Sequence, residues 1–130
     1  AMRDGERPYI VPMCFGYRDH VLYFHGALDS RKYDLLGQHP EVCFEVDIRC
    51  ELVPAKHACD WDMRYRSVVG FGTAVMIDDR EEKRQALEII AEHYVTGPHH
   101  FSDRKVDGTA VFKVAIESMT AKQSLGPPGE

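Results

Sequence analysis

No apolar run in this chain of 130 residues approaches the roughly 18–20 that a bilayer-spanning helix needs, and no charged-then-apolar leader precedes the first strand-like segment. A soluble, cytoplasmic protein without a membrane partner is the expectation. Basic residues are outnumbered, with 16 Lys and Arg against 21 Asp and Glu and a net charge of -5, so the broad basic face of a nucleic-acid module is missing. Cys14, Cys43, Cys50 and Cys59 lack C-x-x-C spacing and read as free thiols. Neither G-x-G-x-x-G, a P-loop nor G-x-S-x-G occurs, and "GFG" at 70–72 falls inside a strand pattern, which removes conventional Rossmann, kinase and serine-hydrolase functions. His20, His39, His57, His93, His99 and His100 form no H-x-x-x-H pair with a carboxylate on one helix face, so no metal site is expected. Repeats and low-complexity segments are also absent.

What remains is a composition of 44% hydrophobic residues, enough for one domain that buries about two-thirds of its unfolded surface. Its expected extent is 1–122, followed by a flexible tail at 123–130. Ala1 and Met2 are assigned no structural role. Residues 9–16 alternate in the strand period, with Pro12 marking an edge or bulge, and "GYRDH" reads as the turn into a second strand at 21–27. A short helix over 31–36 stops at Gly37 and Pro40. A third strand covers 41–48, and an irregular stretch from 49 to 64 is expected to line a site or an interface. The longest strand signal covers 65–77, with Gly70 and Gly72 on one face for a bend or a close backbone approach. Asp79 and Glu82 form a capping box for a helix carrying Leu87, Ile90, Ala91 and Tyr94 on one face, and 109–122 is the last strand. The order β-β-α-β-β-α-β predicts a mostly antiparallel α+β barrel.

Three groups of residues could carry chemistry. Ser30, Arg31 and Lys32 open the first helix, where outward N–H groups, a hydroxyl and two cations suit a phosphate dianion; a capped helix with two solvated charges explains the same letters. The placement is notable because a cation in the first helical turn is disfavoured by a few tenths of a kcal/mol, up to roughly 1. His25, at the end of a strand, either faces a cleft as a proton donor or is a satisfied half-buried histidine. Trp61, Arg64, Arg66 and Ser67 gather at the entry to the longest strand, either to stack on a planar ligand and neutralise a phosphate, or to cover a core edge and pair with Asp60 and Asp62. Cys59 and His57 lack the third orienting group of a Cys-His nucleophile.

The segments "RPYIVPMCFGY" (7–17), "LYFHGALDSRKYDLL" (22–36), "VCFEVD" (42–47), "ACDWDMRYRSVVGFGTA" (58–74) and "EEKRQALEIIAEHY" (81–94), taken in order, resemble the pyridoxamine 5'-phosphate oxidase-like flavoproteins, nearest to the 5-nitroimidazole-resistance reductase branch. The resemblance implies an FMN-binding split β-barrel, mostly antiparallel with short flanking helices, that forms a homodimer with FMN in a groove between subunits. By motif position it implies that Ser30, Arg31 and Lys32 hold the FMN phosphate; Arg66 and Ser67, from the group at the entry to the longest strand, are also assigned to the cofactor. Phe24 and His25 would lie against the cofactor, the backbone of Val11, Pro12, Met13 and Cys14 would face the isoalloxazine, and His25 would be the active-site residue. It further implies a flavin-dependent oxidoreductase reducing small electron-poor molecules, nitroaromatic or nitroimidazole compounds among them. A non-enzymatic flavin- or haem-binding module is the alternative, and deazaflavin or haem the alternative cofactors. Two departures bear on this. The strand "YIVPMC" lacks the basic side chains of the pyridoxamine oxidases, and the family's N-terminal helix and first strand are expected to be missing.

Overall fold

Five antiparallel strands form a curled sheet, a half-barrel, in the spatial order Phe15–Arg18 (β3), Val21–Ala27 (β4), Thr109–Ser124 (β7), Asp62–Ile77 (β6) and Glu41–Val53 (β5). A separate two-stranded hairpin joins Met2–Asp4 (β1) to Arg7–Tyr9 (β2). The structure, a computed structural model, describes residues 1–126. Three helices complete it: α1 (Arg31–Gln38), α2 (Arg80–Tyr94) and α3 (Asp103–Asp107).

Local chemistry explains the turns and caps. Asp19 and His20 lie between the paired residues Arg18 and Val21, and both have positive φ (52° and 62°), the backbone of a two-residue hairpin turn matching strand twist. Asp79 caps α2 by accepting a 2.9 Å hydrogen bond from the Glu82 N–H.

Strand alternation then sorts the core onto two faces. On one face Leu22, Ala74, Ala110, Phe112 and Val114 pack with Tyr33 and Leu36 of α1. On the other, Ile77 and Val111 pack with Ala86 and Leu87 of α2 and Val106 of α3. The two expected glycines act as close-approach positions. A Cβ on Gly70 would lie 2.2 Å from the Phe44 ring of the neighbouring strand, and one on Gly72 would lie 2.3 Å from the Ala115 carbonyl oxygen. Next to Gly72 the β6–β7 register shifts, with Glu117 as the extra residue, a bulge that bends the strand.

Several expectations are corrected. Residues 9–16 are not one strand: 10–14 join no ladder, although their burial alternates, with Val11, Met13 and Phe15 inward. Pro12 has no N–H for a ladder and no strand lies alongside. Met2, given no role, is 8% exposed and belongs to the core. Three residues are too few to show a period, which hides β1 in the sequence. Half of the irregular stretch 49–64 is strand, because β5 runs on to Val53 and β6 starts at Asp62. Arg49, with φ 57°, absorbs a register shift there, and the arm is largely exposed on both faces, so no apolar alternation marks it. The five-residue α3 is likewise too short to read from periodicity. Gln123 and Ser124 of the expected tail belong to β7, and residues 127–130 lie outside the described residues.

Candidate functional site

An apolar groove of about 580 Å³ opens beside the unpaired segment 10–14, lined by Val11, Pro12, Met13, Phe24, Phe44 and Phe112 among others. Phe24 and Phe112 stack across β4 and β7 with ring centroids 5.0 Å apart, and Tyr33 meets Phe112 edge-on at 5.7 Å. The Tyr33 hydroxyl donates a 2.9 Å hydrogen bond to the Ala110 carbonyl, and burial pushes its pKa up to about 12. No backbone hydrogen bond reaches residues 10–14 from the described residues, so their N–H and C=O groups are open.

The start of α1 is a second feature. Ser30 occupies the N-cap position with extended backbone, but its side chain makes no cap hydrogen bond. Its Oγ is buried without a hydrogen-bond partner among the described residues. The backbone N–H groups of Arg31 and Lys32 likewise have no backbone partner. Arg31 donates to the Asp4 carboxylate, and its guanidinium lies over the Tyr9 ring, 5.3 Å from the centroid. Lys32 forms no ion pair among the described residues; its Nζ sits 5.4 Å from the Tyr33 ring centroid, across the end of β4 where Gly26 leaves room. A Cβ on Gly26 would meet Lys32 Cε at 2.9 Å and Nζ at 3.0 Å.

The structure brings some of the expected site residues together and separates others. Val11, Pro12, Met13 and Phe24 line the groove, whereas Cys14 is exposed beside it. His25 is adjacent to Phe24 but points to the opposite face of β4 and is exposed. Ser30, Arg31 and Lys32 share one helical turn outside the groove lining. Arg66 and Ser67 lie on β6 opposite Ile48 and Asp47 of β5; Asp47 lines the groove, whereas Arg66 and Ser67 are not among its lining residues. Trp61 donates from Nε1 to the Ala55 carbonyl of its own loop at 3.0 Å, and Arg64 donates to the Leu125 carbonyl just past β7 at 3.0 Å. Cys59 contacts Asp60 and not His57. Asp4 and Gly26 are site residues that the sequence reading does not single out. A glycine in a strand directly before a lysine-bearing helix is a readable signal for the second, whereas nothing local marks the first.

A model of the pyridoxamine 5'-phosphate oxidase family matches residues 1–123. The chain belongs to the pyridoxamine 5'-phosphate oxidase family. Among solved structures, this family member is similar to a candidate 5-nitroimidazole antibiotic resistance protein from Bacteroides thetaiotaomicron, at 36% identity and TM-score 0.81, over 92% of this chain and 72% of that one. That likeness sets it beside the 5-nitroimidazole-resistance branch. It is also similar to the flavocytochrome Anf3 from Azotobacter vinelandii, at 25% identity and TM-score 0.82, over 99% of this chain and 62% of that one. An FAD and haem binding protein from Mycobacterium smegmatis shares its fold at 23% identity and TM-score 0.84, over 99% and 65% of the two chains. No curated protein sequence matches this family member. Among its described residues no helix is long and apolar enough to cross a membrane.

Proposed function

We propose that the chain binds flavin mononucleotide and, as a homodimer, reduces small electron-poor molecules of the nitroaromatic or nitroimidazole class. The observation that carries the proposal is the buried, partnerless Ser30 Oγ at the start of α1. Leaving such a hydroxyl without a partner costs about 1–3 kcal/mol, and a phosphate oxygen removes that cost. The same oxygen cluster accepts from the open N–H groups of Arg31 and Lys32, and the unpaired ammonium of Lys32 supplies charge. Ser30, Arg31 and Lys32 are therefore assigned to the phosphate end.

The groove between 10–14, Phe24 and Phe44 suits the apolar part of a fused ring, and the open backbone groups of 10–14 suit its polar edge. When bound, the flavin supplies the electron-transfer chemistry, while the chain orients it. His25 is assigned to protonating the reduced acceptor, since imidazole holds and releases a proton near neutral pH. Because Phe24 and His25 lie on opposite faces of β4, a ring against one face meets only one of them in a protomer, which favours a site shared between two copies.

The flavocytochrome and the FAD and haem binding protein among the similar structures favour a second reading, a non-enzymatic flavin- or haem-binding module. Titration with FMN and riboflavin, an absorption spectrum and mass identification of any released group test both readings. FMN is expected to bind 100-fold or more tightly than riboflavin, the equivalent of about two charge-assisted hydrogen bonds at 1.5 kcal/mol each. A Soret band would support haem, and a distinct released mass would support deazaflavin. His25→Ala is expected to keep FMN and slow nitroaromatic reduction about 100-fold; unchanged turnover would remove His25 from the reaction.

A further inference from the structure

We propose that the two cations of α1 have divided roles: Arg31 is a positioning residue that staples the β1–β2 hairpin to the helix, and Lys32 alone supplies side-chain charge to a phosphate. The division rests on the flavin reading above, but the staple stands on contacts within the protein. Arg31 touches both strands of the hairpin, donating to Asp4 on β1 and covering the Tyr9 ring on β2. At the open end of the hairpin, Met2 pairs with Tyr9 and packs in the core with Tyr33 and Leu36 of α1. The hairpin is therefore held to one helix by an apolar contact and a charged one.

Electrostatics separates the two cations. A phosphate brought to the Arg31 guanidinium would meet the Asp4 carboxylate already seated there, and two anions on one cation repel. Lys32 has no carboxylate within ion-pairing distance among the described residues, and Gly26 leaves space for its ammonium. Geometry gives Arg31 a different route to the cofactor. The hairpin leads directly into residues 10–14, one wall of the groove, so the staple sets where that wall stands. Loosening it acts on the ring end of a flavin and not on the phosphate end.

Four variants test this: Arg31→Ala, Asp4→Asn, Lys32→Ala, and the exchanged pair Asp4→Arg with Arg31→Asp. Each is measured by hydrogen exchange of the hairpin amides in flavin-free protein and by the dissociation constants of FMN and riboflavin. Arg31→Ala and Asp4→Asn are expected to speed hairpin exchange about two- to fivefold, the opening expected when a partly exposed pair is lost. Both should weaken FMN and riboflavin by the same factor. The exchanged pair should return exchange and both affinities toward the parent values. Lys32→Ala should weaken FMN tenfold or more, with riboflavin and hairpin exchange unchanged. If Arg31→Ala weakens FMN while sparing riboflavin, or the exchanged pair fails to restore hairpin exchange, the division of roles is overturned. If no variant or parent binds either flavin, the flavin reading falls, and the exchange rates still decide the staple.

Discussion

A methyl group on Gly26 would stand 2.9 Å from Lys32 Cε and 3.1 Å from the Tyr33 hydroxyl, and that single atom tests how closely the ammonium must be placed. The end of a lysine side chain moves at little cost and the Tyr33 hydroxyl need shift only by a few tenths of an ångström, so Gly26→Ala should lower the melting temperature slightly while weakening FMN about tenfold, one charge-assisted contact's worth. Isothermal titration beside thermal melts checks both halves. Tyr33 makes a different prediction, for alkaline pH. Its folded pKa of about 12 stands above the ordinary value near 10, so the fold keeps the proton longer than the unfolded chain does. The contribution is complete below pH 10 and drains away between pH 10 and 12, about 2–3 kcal/mol in all. Urea midpoints of Tyr33→Phe should therefore fall less steeply over that window than those of the parent, although the variant starts lower for want of the bond to Ala110. At this scale the sequence is readable when a residue's neighbours are local. Ser30, Arg31 and Lys32 announce a helix start, whereas no pattern says that Asp4, 27 positions away, faces Arg31. Phe24 and His25, grouped by motif position, are set on opposite faces of β4 by the strand period itself.

Along β6 the two glycines at 70 and 72 look alike in the sequence and differ in what they accommodate. Gly70 makes room for the Phe44 ring, and Gly72 for the backbone of Ala115. A ring can rotate aside and a carbonyl in a ladder cannot, so Gly72→Ala should be the more destabilising, by about 2–3 kcal/mol against about 1–2 for Gly70→Ala. Phe44→Ala should relieve Gly70→Ala and leave Gly72→Ala untouched, a non-additivity that denaturant midpoints of the single and double variants would display. The long strands and α2 are legible because each has enough residues for a period and one face against a core. Their exposed ends are not: the arm formed by 48–53 and 62–66 is largely solvated on both faces, so its sequence reads as irregular while its two strands stay paired. β1 and α3, with three and five residues, fall below the length at which any period can be counted.

In the molecule as a whole the sheet is finished by helices over only part of its surface. Val69, Phe71 and Val75 alternate on one face of β6 and remain 38%, 55% and 50% exposed, a row that a second copy could cover symmetrically. Light scattering should return twice the chain mass at micromolar concentration. Phe71→Asp should shift that mass toward the single chain and weaken FMN in parallel, because a shared site loses half its walls when the copies separate. A monomer of the parent that binds FMN with undiminished affinity would remove the shared-site model.

Residues 10–14 have one further consequence, for self-association. A segment with open backbone groups, alternating burial and a largely exposed Ile10 offers what a strand edge offers to foreign strands that seed fibrils. Pro12 stands in the middle of that row with no hydrogen to donate, and its ring cuts the run into pieces too short to template a cross-chain ladder. The same residue that hides this segment from strand assignment thus acts as a gatekeeper, letting the protein keep a backbone edge open toward its groove without that edge becoming a nucleus for aggregation.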